Sequence, residues 1–228
     1  MTRVGIVGGT FDPIHVGHIA MAEAGAKCGR LERVLLVPAN VPPHRPPAVA
    51  PAVDRLEMCR LAAAGRPWLE VSDIEVRRPG ASYTVDTLRA LARERPADEL
   101  YLVLGWDAAR DIRGWRSPDD VLRLARVVIV TRPGHPPPSR GDVAAAGIDP
   151  AQAVICDVQT PDVESTDVRR LIEKGDSLEG VLDHSVESYV RQRDLYGARR
   201  SRDRQGLLPA KGRFGDGPTT GHNPDPRA

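Results

Sequence analysis

The chain has 228 residues, 41% of them hydrophobic and 28% charged, which is enough to enclose one good core and reads as a single globular domain. With 32 basic residues against 31 acidic ones the formal charge is +1, so no global field draws the molecule onto nucleic acid or a membrane surface, and any anion binding must be local. Three widely spaced cysteines, Cys28, Cys59 and Cys156, lack metal-ligand spacing and read as reduced thiols of a cytoplasmic protein, while no leader pattern and no run of eighteen apolar residues points to export or membrane spanning.

In chain order, an apolar run over Val4–Val7 predicts a buried strand, followed by a helix from about Gly17 to Cys28. A second strand is expected over Val34–Val37, then helices near Asp54–Ala64 and Thr84–Arg93. Leu100–Leu104 and Val127–Val130 read as further strands, separated by a helix over Pro118–Leu124 whose proline suits a first turn after Ser117. Arg132–Pro150 is rich in Pro and Gly and reads as a loop before a strand near Ala153–Cys156, with helices following at Ser165–Glu173 and Ser185–Arg193. Strands that are apolar throughout and alternate with helices imply a doubly wound α/β fold, a parallel sheet covered on both faces. Residues 1–197 form the expected domain. Residues 198–228, with many Arg, Gly and Pro and few apolar side chains, cannot offset the entropy of ordering and read as a disordered basic tail, without the aromatic interleaving of a nucleic-acid binder.

The junction after the first strand carries the most chemistry. Gly8 and Gly9 remove side chains that would hold a phosphate away from backbone N–H groups, and a helix start supplies further donors and partial positive charge. His15 and His18 lie three residues apart with Gly17 between them, so both imidazoles can face one phosphate, and a protonated His offers charge-assisted donors. The segment is neither a dinucleotide fingerprint nor a P-loop, for GxGxxG and Gly-Lys-Ser/Thr are both absent. Two histidines without a nearby Cys or carboxylate at ligand spacing make a zinc site the weaker alternative.

The run Gly9-Thr10-Phe11-Asp12-Pro13-Ile14-His15-Val16-Gly17-His18 resembles the (T/S)xxxHxGH motif of the adenylyl- and cytidylyltransferase superfamily. That resemblance implies a Rossmann-like nucleotidyltransferase fold, His15 and His18 as catalytic residues on the phosphates of ATP, and Gly8, Gly9, Thr10, Phe11 and Gly17 around the nucleotide. It further implies Mg2+ accompanying ATP and direct in-line transfer, chemistry that is mostly positioning and electrostatics. Glu164-Ser165-Thr166-Asp167-Val168-Arg169 resembles the superfamily's ISSTxxR motif, with Ser165 or Thr166 as a helix N-cap and Arg169 on the triphosphate. Here Val163 and Glu164 stand where Ile and Ser are usual, and a carboxylate is unwelcome beside phosphates.

Further segments are similar to those of nicotinate-nucleotide adenylyltransferases. Asn40-Val41-Pro42-Pro43-His44-Arg45 resembles an N-x-PPHK loop, and Ser82-Tyr83-Thr84-Val85-Asp86-Thr87-Leu88 resembles an SYT-x-DTL segment opening a helix. The resemblance assigns Gly105 and Asp107 to the adenosine side, Asn40, His44, Arg45, Thr84 and Arg132 to the acceptor, and Trp115 to stacking on a nicotinate ring. Trp106 replaces a usual small residue and is expected to pack inward. The expected acceptor is nicotinic acid mononucleotide. The alternatives are a sibling using nicotinamide mononucleotide or phosphopantetheine, and a non-catalytic nucleotide-binding homologue. Oligomeric state, monomer or homodimer, is open.

Overall fold

The computed structural model describes residues 1–198 except 44, 45, 132, 133, 135 and 159, so the expected tail beyond residue 198, with His44, Arg45 and Arg132, lies outside the described residues. Six strands form one wholly parallel sheet in the order β3-β2-β1-β4-β5-β6. They are β1 (Arg3–Gly9), β2 (Arg33–Pro38), β3 (Leu69–Val71), β4 (Glu99–Gly105), β5 (Arg126–Val130) and β6 (Ala153–Cys156). The chain builds outward from β1 through β2 to β3, then returns to start β4 on the other side of β1. That reversal opens a crevice beyond the carboxyl ends of β1 and β4, where ligands of open α/β sheets bind.

Strand period fixes the two cores. Val7, Val103 and Val128 face one side, with the helices α1 (Val16–Gly29), α2 (Ala52–Ala63), α7 (Ser165–Lys174) and α8 (His184–Gln192) supplying the cover. Ile6, Leu102 and Ile129 face the other, under α3 (Thr84–Glu94) and α5 (Pro118–Leu124). Both sides of the sheet being dry is why its strands read as continuous apolar runs. Helix α1, which carries His18, lies close on the sheet: a Cβ at Gly25 would sit 2.6 Å from Val103 Cγ1. Filling that contact would cost about 1–3 kcal/mol in displaced packing.

Three elements depart from expectation. The edge strand β3 has only three residues, too few for a periodic signal. The short helix α4 (Trp106–Arg110) follows β4 directly, and its Trp106 packs on the second core as expected. Within the expected loop, α6 (Arg140–Ala145) forms because the Ser139 side chain accepts from the Asp142 N–H while Asp142 accepts from the Ser139 N–H, a reciprocal cap.

The expectation of three reduced thiols is corrected. Cys28 and Cys156 are joined by a disulfide, Cα–Cα 5.7 Å, while Cys59 stays a buried free thiol. Their sequence separation of 128 hides the pairing; it arises because α1 packs across β5 and β6, which brings its last turn to the end of β6. Burial pushes the Cys59 thiol well above its ordinary range and keeps it unreactive. Alkylation of the unfolded, unreduced protein should therefore add one alkyl group by intact mass, at Cys59; three adducts would disprove the bond.

Candidate active site

A cleft of about 1000 Å³ opens at the carboxyl ends of β1 and β4, at the upper end of small-molecule sites, roughly 300–1,000 Å³. Gly8, Gly9, Thr10, Phe11, His15, Gly17 and His18 all line it, as do Gly105 and Asp107 after β4 and Ser165, Thr166 and Arg169 at the start of α7. The residues that the resemblance puts around the nucleotide thus line one cleft, although Gly8 and Arg169 are far apart in the chain.

The β1–α1 junction is held by packing and backbone bonds. Phe11 adopts φ 51°, a left-handed conformation that costs an L-residue about 1–2 kcal/mol. Its ring is 1% exposed and meets His18 edge-on, centroids 4.9 Å apart, so burial holds the strained backbone. His15 is the N-cap of α1 and nearly buried, and its ring lies 3.8 Å from that of His18, inclined by 34°. The His15 N–H donates to His18 Nδ1 at 3.3 Å. An imidazole that accepts at Nδ1 carries its proton on Nε2, so His18 presents one donor beyond its backbone anchor. Gly17 sits at a close approach: a Cβ there would meet His15 Nδ1 at 3.1 Å and the Pro161 carbonyl at 3.3 Å, so both neighbours would have to give by a few tenths of an ångström. The loop before α7 therefore presses directly on the first motif.

The second motif is corrected in detail. Neither Ser165 nor Thr166 caps α7; Glu164 is the N-cap, its side chain making no cap hydrogen bond. Ser165 Oγ instead donates to the Pro13 carbonyl at 3.0 Å, and Arg169 Nη1 donates to the Asp12 carbonyl at 2.6 Å and lies 3.8 Å from its carboxylate. Thr166 Oγ1 accepts from Arg169 Nη2 at 3.2 Å. Glu164 is exposed at the rim, where water solvates its charge and the helix N-terminus favours it.

Beneath this wall lies a buried polar unit that the sequence reading missed. Arg55 on α2 is 1% exposed. It donates through Nε to the Ala50 carbonyl (3.1 Å), through Nη1 to Thr10 (2.6 Å) and through Nη2 to Asn40 (3.1 Å). Burial pulls the guanidinium below its usual range, and the nearby Asp12 carboxylate offsets part of that. Asp12, itself 5% exposed, accepts from the Val49 and Ala50 N–H groups (2.7 and 3.0 Å) and from the Tyr196 hydroxyl (2.8 Å). The signal was present: Arg55, Cys59 and Ala62 are all buried on α2, a charge on the apolar stripe of a helix.

At the other end of the cleft, Thr84 opens α3 and Trp115 stands half-buried in the loop after α4, both lining the wall. Tyr83 joins them, with the Arg116 guanidinium 4.6 Å from its ring centroid, a cation–π pair not anticipated. Asn40 does not line the cleft. Its Nδ2 donates to the Arg78 carbonyl (3.0 Å) and its N–H to Ser82 Oγ (2.9 Å), so it joins the loop after β2 to the approach to α3. Among the described residues no group of three or more His, Cys, Asp or Glu could hold a metal ion, and no helix is long and apolar enough to cross a membrane.

The cytidylyltransferase-like family profile matches residues 6–171. A "probable nicotinate-nucleotide adenylyltransferase" of Synechococcus sp. strain JA-3-3Ab is 40% identical over 195 residues, covering 85% of this chain and 94% of the relative. One of the same name from Thermus thermophilus is 40% identical over 196 residues, covering 85% of this chain and 99% of the relative. Among solved structures, the nicotinic acid mononucleotide adenylyltransferase of Plasmodium falciparum complexed with NaAD superposes with a TM-score of 0.70 at 17% identity, over 86% of this chain and 98% of that one, a likeness of fold. The chain belongs to the cytidylyltransferase-like family, and within it to the nicotinate-nucleotide adenylyltransferases.

Proposed function

We propose that the cleft transfers the adenylyl group of ATP to nicotinic acid mononucleotide, releasing pyrophosphate. The observation that carries this is the close-packed His15–His18 pair at the start of α1, in the crevice that also receives Arg169. A phosphate oxygen of the mononucleotide attacks the α-phosphorus of ATP; the new P–O bond forms as the bond from that phosphorus to the bridging oxygen of pyrophosphate breaks. His18 donates from Nε2 to the α-phosphoryl oxygens as charge develops there, and Arg169 with the α7 amides holds the leaving pyrophosphate. Gly105 and Asp107 take the adenosine side, and Thr10 takes the phosphates. The residues fit a Mg2+ that is carried by the triphosphate and water, the usual manner for that ion; it would neutralise charge on the leaving group.

On the acceptor side, α3 N-terminal donors at Thr84 hold the pyridine carboxylate and Trp115 stacks on the ring. His44, Arg45 and Arg132, all outside the described residues, supply cations for the acceptor's phosphate. The cytoplasm is the proposed compartment; the Cys28–Cys156 bond is the observation that weighs against a reducing one.

Pyrophosphate release is the test, measured with ATP and, in turn, nicotinic acid mononucleotide, nicotinamide mononucleotide and phosphopantetheine. The acid mononucleotide should give the highest kcat/KM, whereas preference for either other acceptor would reassign the substrate, and ATP binding without turnover would make the protein a sensor. Trp115→Ala should raise KM for the mononucleotide about tenfold, the loss of an aromatic stack worth roughly 1–3 kcal/mol, while KM for ATP stays put. Equal rises for both substrates would contradict the stacking role.

A further inference from the structure

The acceptor end of the cleft is built over one buried carboxylate that no motif flagged. Glu75 precedes α3, is 7% exposed and reaches the cleft wall. Its Oε1 accepts from Thr87 Oγ1 at 2.5 Å, much closer than the Tyr83 carbonyl at 3.5 Å, the other acceptor near that hydroxyl. The hydroxyl has a single proton to give, and Thr87 Oγ1 is occupied as an acceptor by Arg78 Nη2 (3.0 Å), so the proton goes to Glu75. Burial raises the carboxyl's pKa, and the Thr87 and Ser82 hydroxyls and Arg78 oppose the rise.

The placement matters as much as the chemistry. Through Thr87 the carboxylate holds the first turn of α3, and Arg78, which donates to the same Thr87 oxygen, accepts at its carbonyl from Asn40 of the loop after β2. Tyr83 and Thr84, the N-cap and first residue of α3, lie between those two anchors and face the cleft. An isolated bridge between Val41 and Ala81 and the Asn40 bond to the Arg78 carbonyl tie the same two segments together. The nucleotide wall is anchored by Arg55 and Asp12, with Arg55 also reaching the Asn40 carbonyl.

Resting on the function proposed above, we infer that Glu75 is a positioning residue for the acceptor. It fixes the distance between the loop after β2 and the N-terminus of α3, and so sets affinity for the pyridine mononucleotide and the preference for acid over amide. A carboxylate ligand needs converging donors at a fixed spacing, and an amide presents N–H groups of its own to them, so slackening the first turn of α3 costs the acid more than the amide.

The test is steady-state kinetics of Glu75→Gln, with ATP, the acid mononucleotide and the amide mononucleotide each varied. The Gln side chain has no charge and one accepting oxygen where Glu75 has two, so the Thr87 hydroxyl loses its partner or is held by a weaker one. KM for the acid mononucleotide should rise about tenfold, the effect of one buried unsatisfied polar group, with KM for ATP and kcat each within about threefold. The acid-to-amide ratio of kcat/KM should fall by about the same factor, and Glu75→Asp, which keeps both accepting oxygens, should recover part of it. Equal rises for ATP and mononucleotide, or an unchanged mononucleotide KM, would overturn the inference. Should Glu75→Gln fail to fold, Thr87→Val removes only the hydroxyl that Glu75 holds, at nearly constant shape. It decides in the same way: a rise of about threefold confined to the mononucleotide supports the role, and any other pattern removes it. If the parent protein itself does not turn over the acid mononucleotide, the proposed function has failed; if it does and the variants bind the acceptor normally, only the role of Glu75 has.

Discussion

Replacing His18 with Ala should lower kcat by about 10²–10³, the usual effect of removing one preorganised donor from a developing oxyanion, with KM for both substrates changed little. The split follows from what the side chain does in the structure. Its Nδ1 accepts from the His15 N–H and the residue lines the cleft, and a donor aimed at charge that appears only in the transition state acts on kcat. The fold should survive, since the lost backbone anchor resembles loss of a helix cap and costs about 1 kcal/mol. Initial-rate measurements with a thermal melt beside them test both halves. A kcat within fivefold of the parent would remove His18 from catalysis, and a rise in KM for ATP with kcat unchanged would make it a binding residue only.

Replacing Arg55 with Leu should destabilise the protein by about 3–5 kcal/mol, the range for breaking a buried charge network from one side. For a domain of this length that corresponds to a fall in Tm of about 6–20 °C. Leu fills much of the space but leaves the Thr10, Asn40 and Ala50 carbonyls without the donor that satisfies them and removes the cation beside Asp12. Lys keeps the charge but offers a single nitrogen, which cannot span three diverging carbonyls, so Arg55→Lys should recover only part of the loss. Because Thr10 belongs to the phosphate wall and Asn40 to the acceptor loop, residual activity at low temperature should show KM raised for both substrates. That pattern contrasts with the one-sided effect expected at Glu75. A fall in Tm below about 3 °C would show the network to be dispensable.

The sheet was largely legible in the sequence because its central strands are dry on both faces. Val34–Val37 and Val127–Val130 announce themselves as apolar runs, and Gly8-Gly9 followed by the histidines marks the crevice where strand order reverses. What escaped was short or relational. Three residues of β3 and five of α4 carry no period. Ser165 and Thr166 were read as caps, yet the helix begins one residue earlier and Ser165 Oγ is spent on Pro13. Asn40 was expected on the acceptor, whereas its amide nitrogen is committed to the Arg78 carbonyl.

Glu75 and Arg55 share a harder difficulty, for their partners are hydroxyls and carbonyls brought near by the fold. Arg55 at least stands out as a charge on a buried helix face, while Glu75 lies outside any helix or strand and offers no pattern to notice. The disulfide belongs with them. No spacing rule could pair Cys28 with Cys156, because their proximity depends on which strand ends beside α1.

The hydrogen bond from Tyr196 to Asp12 joins almost the last described residue to the first phosphate loop. On a ribosome, where the chain emerges from its amino end, the first strand and its histidines are made early, but this strut arrives only when synthesis has passed residue 196. Arg169, which also grips Asp12, comes late as well. A nascent chain halted before that point would carry the whole histidine motif with neither clamp in place, so nucleotide binding waits until synthesis has passed residue 196, and truncation ahead of Tyr196 should loosen a site encoded near residue 12.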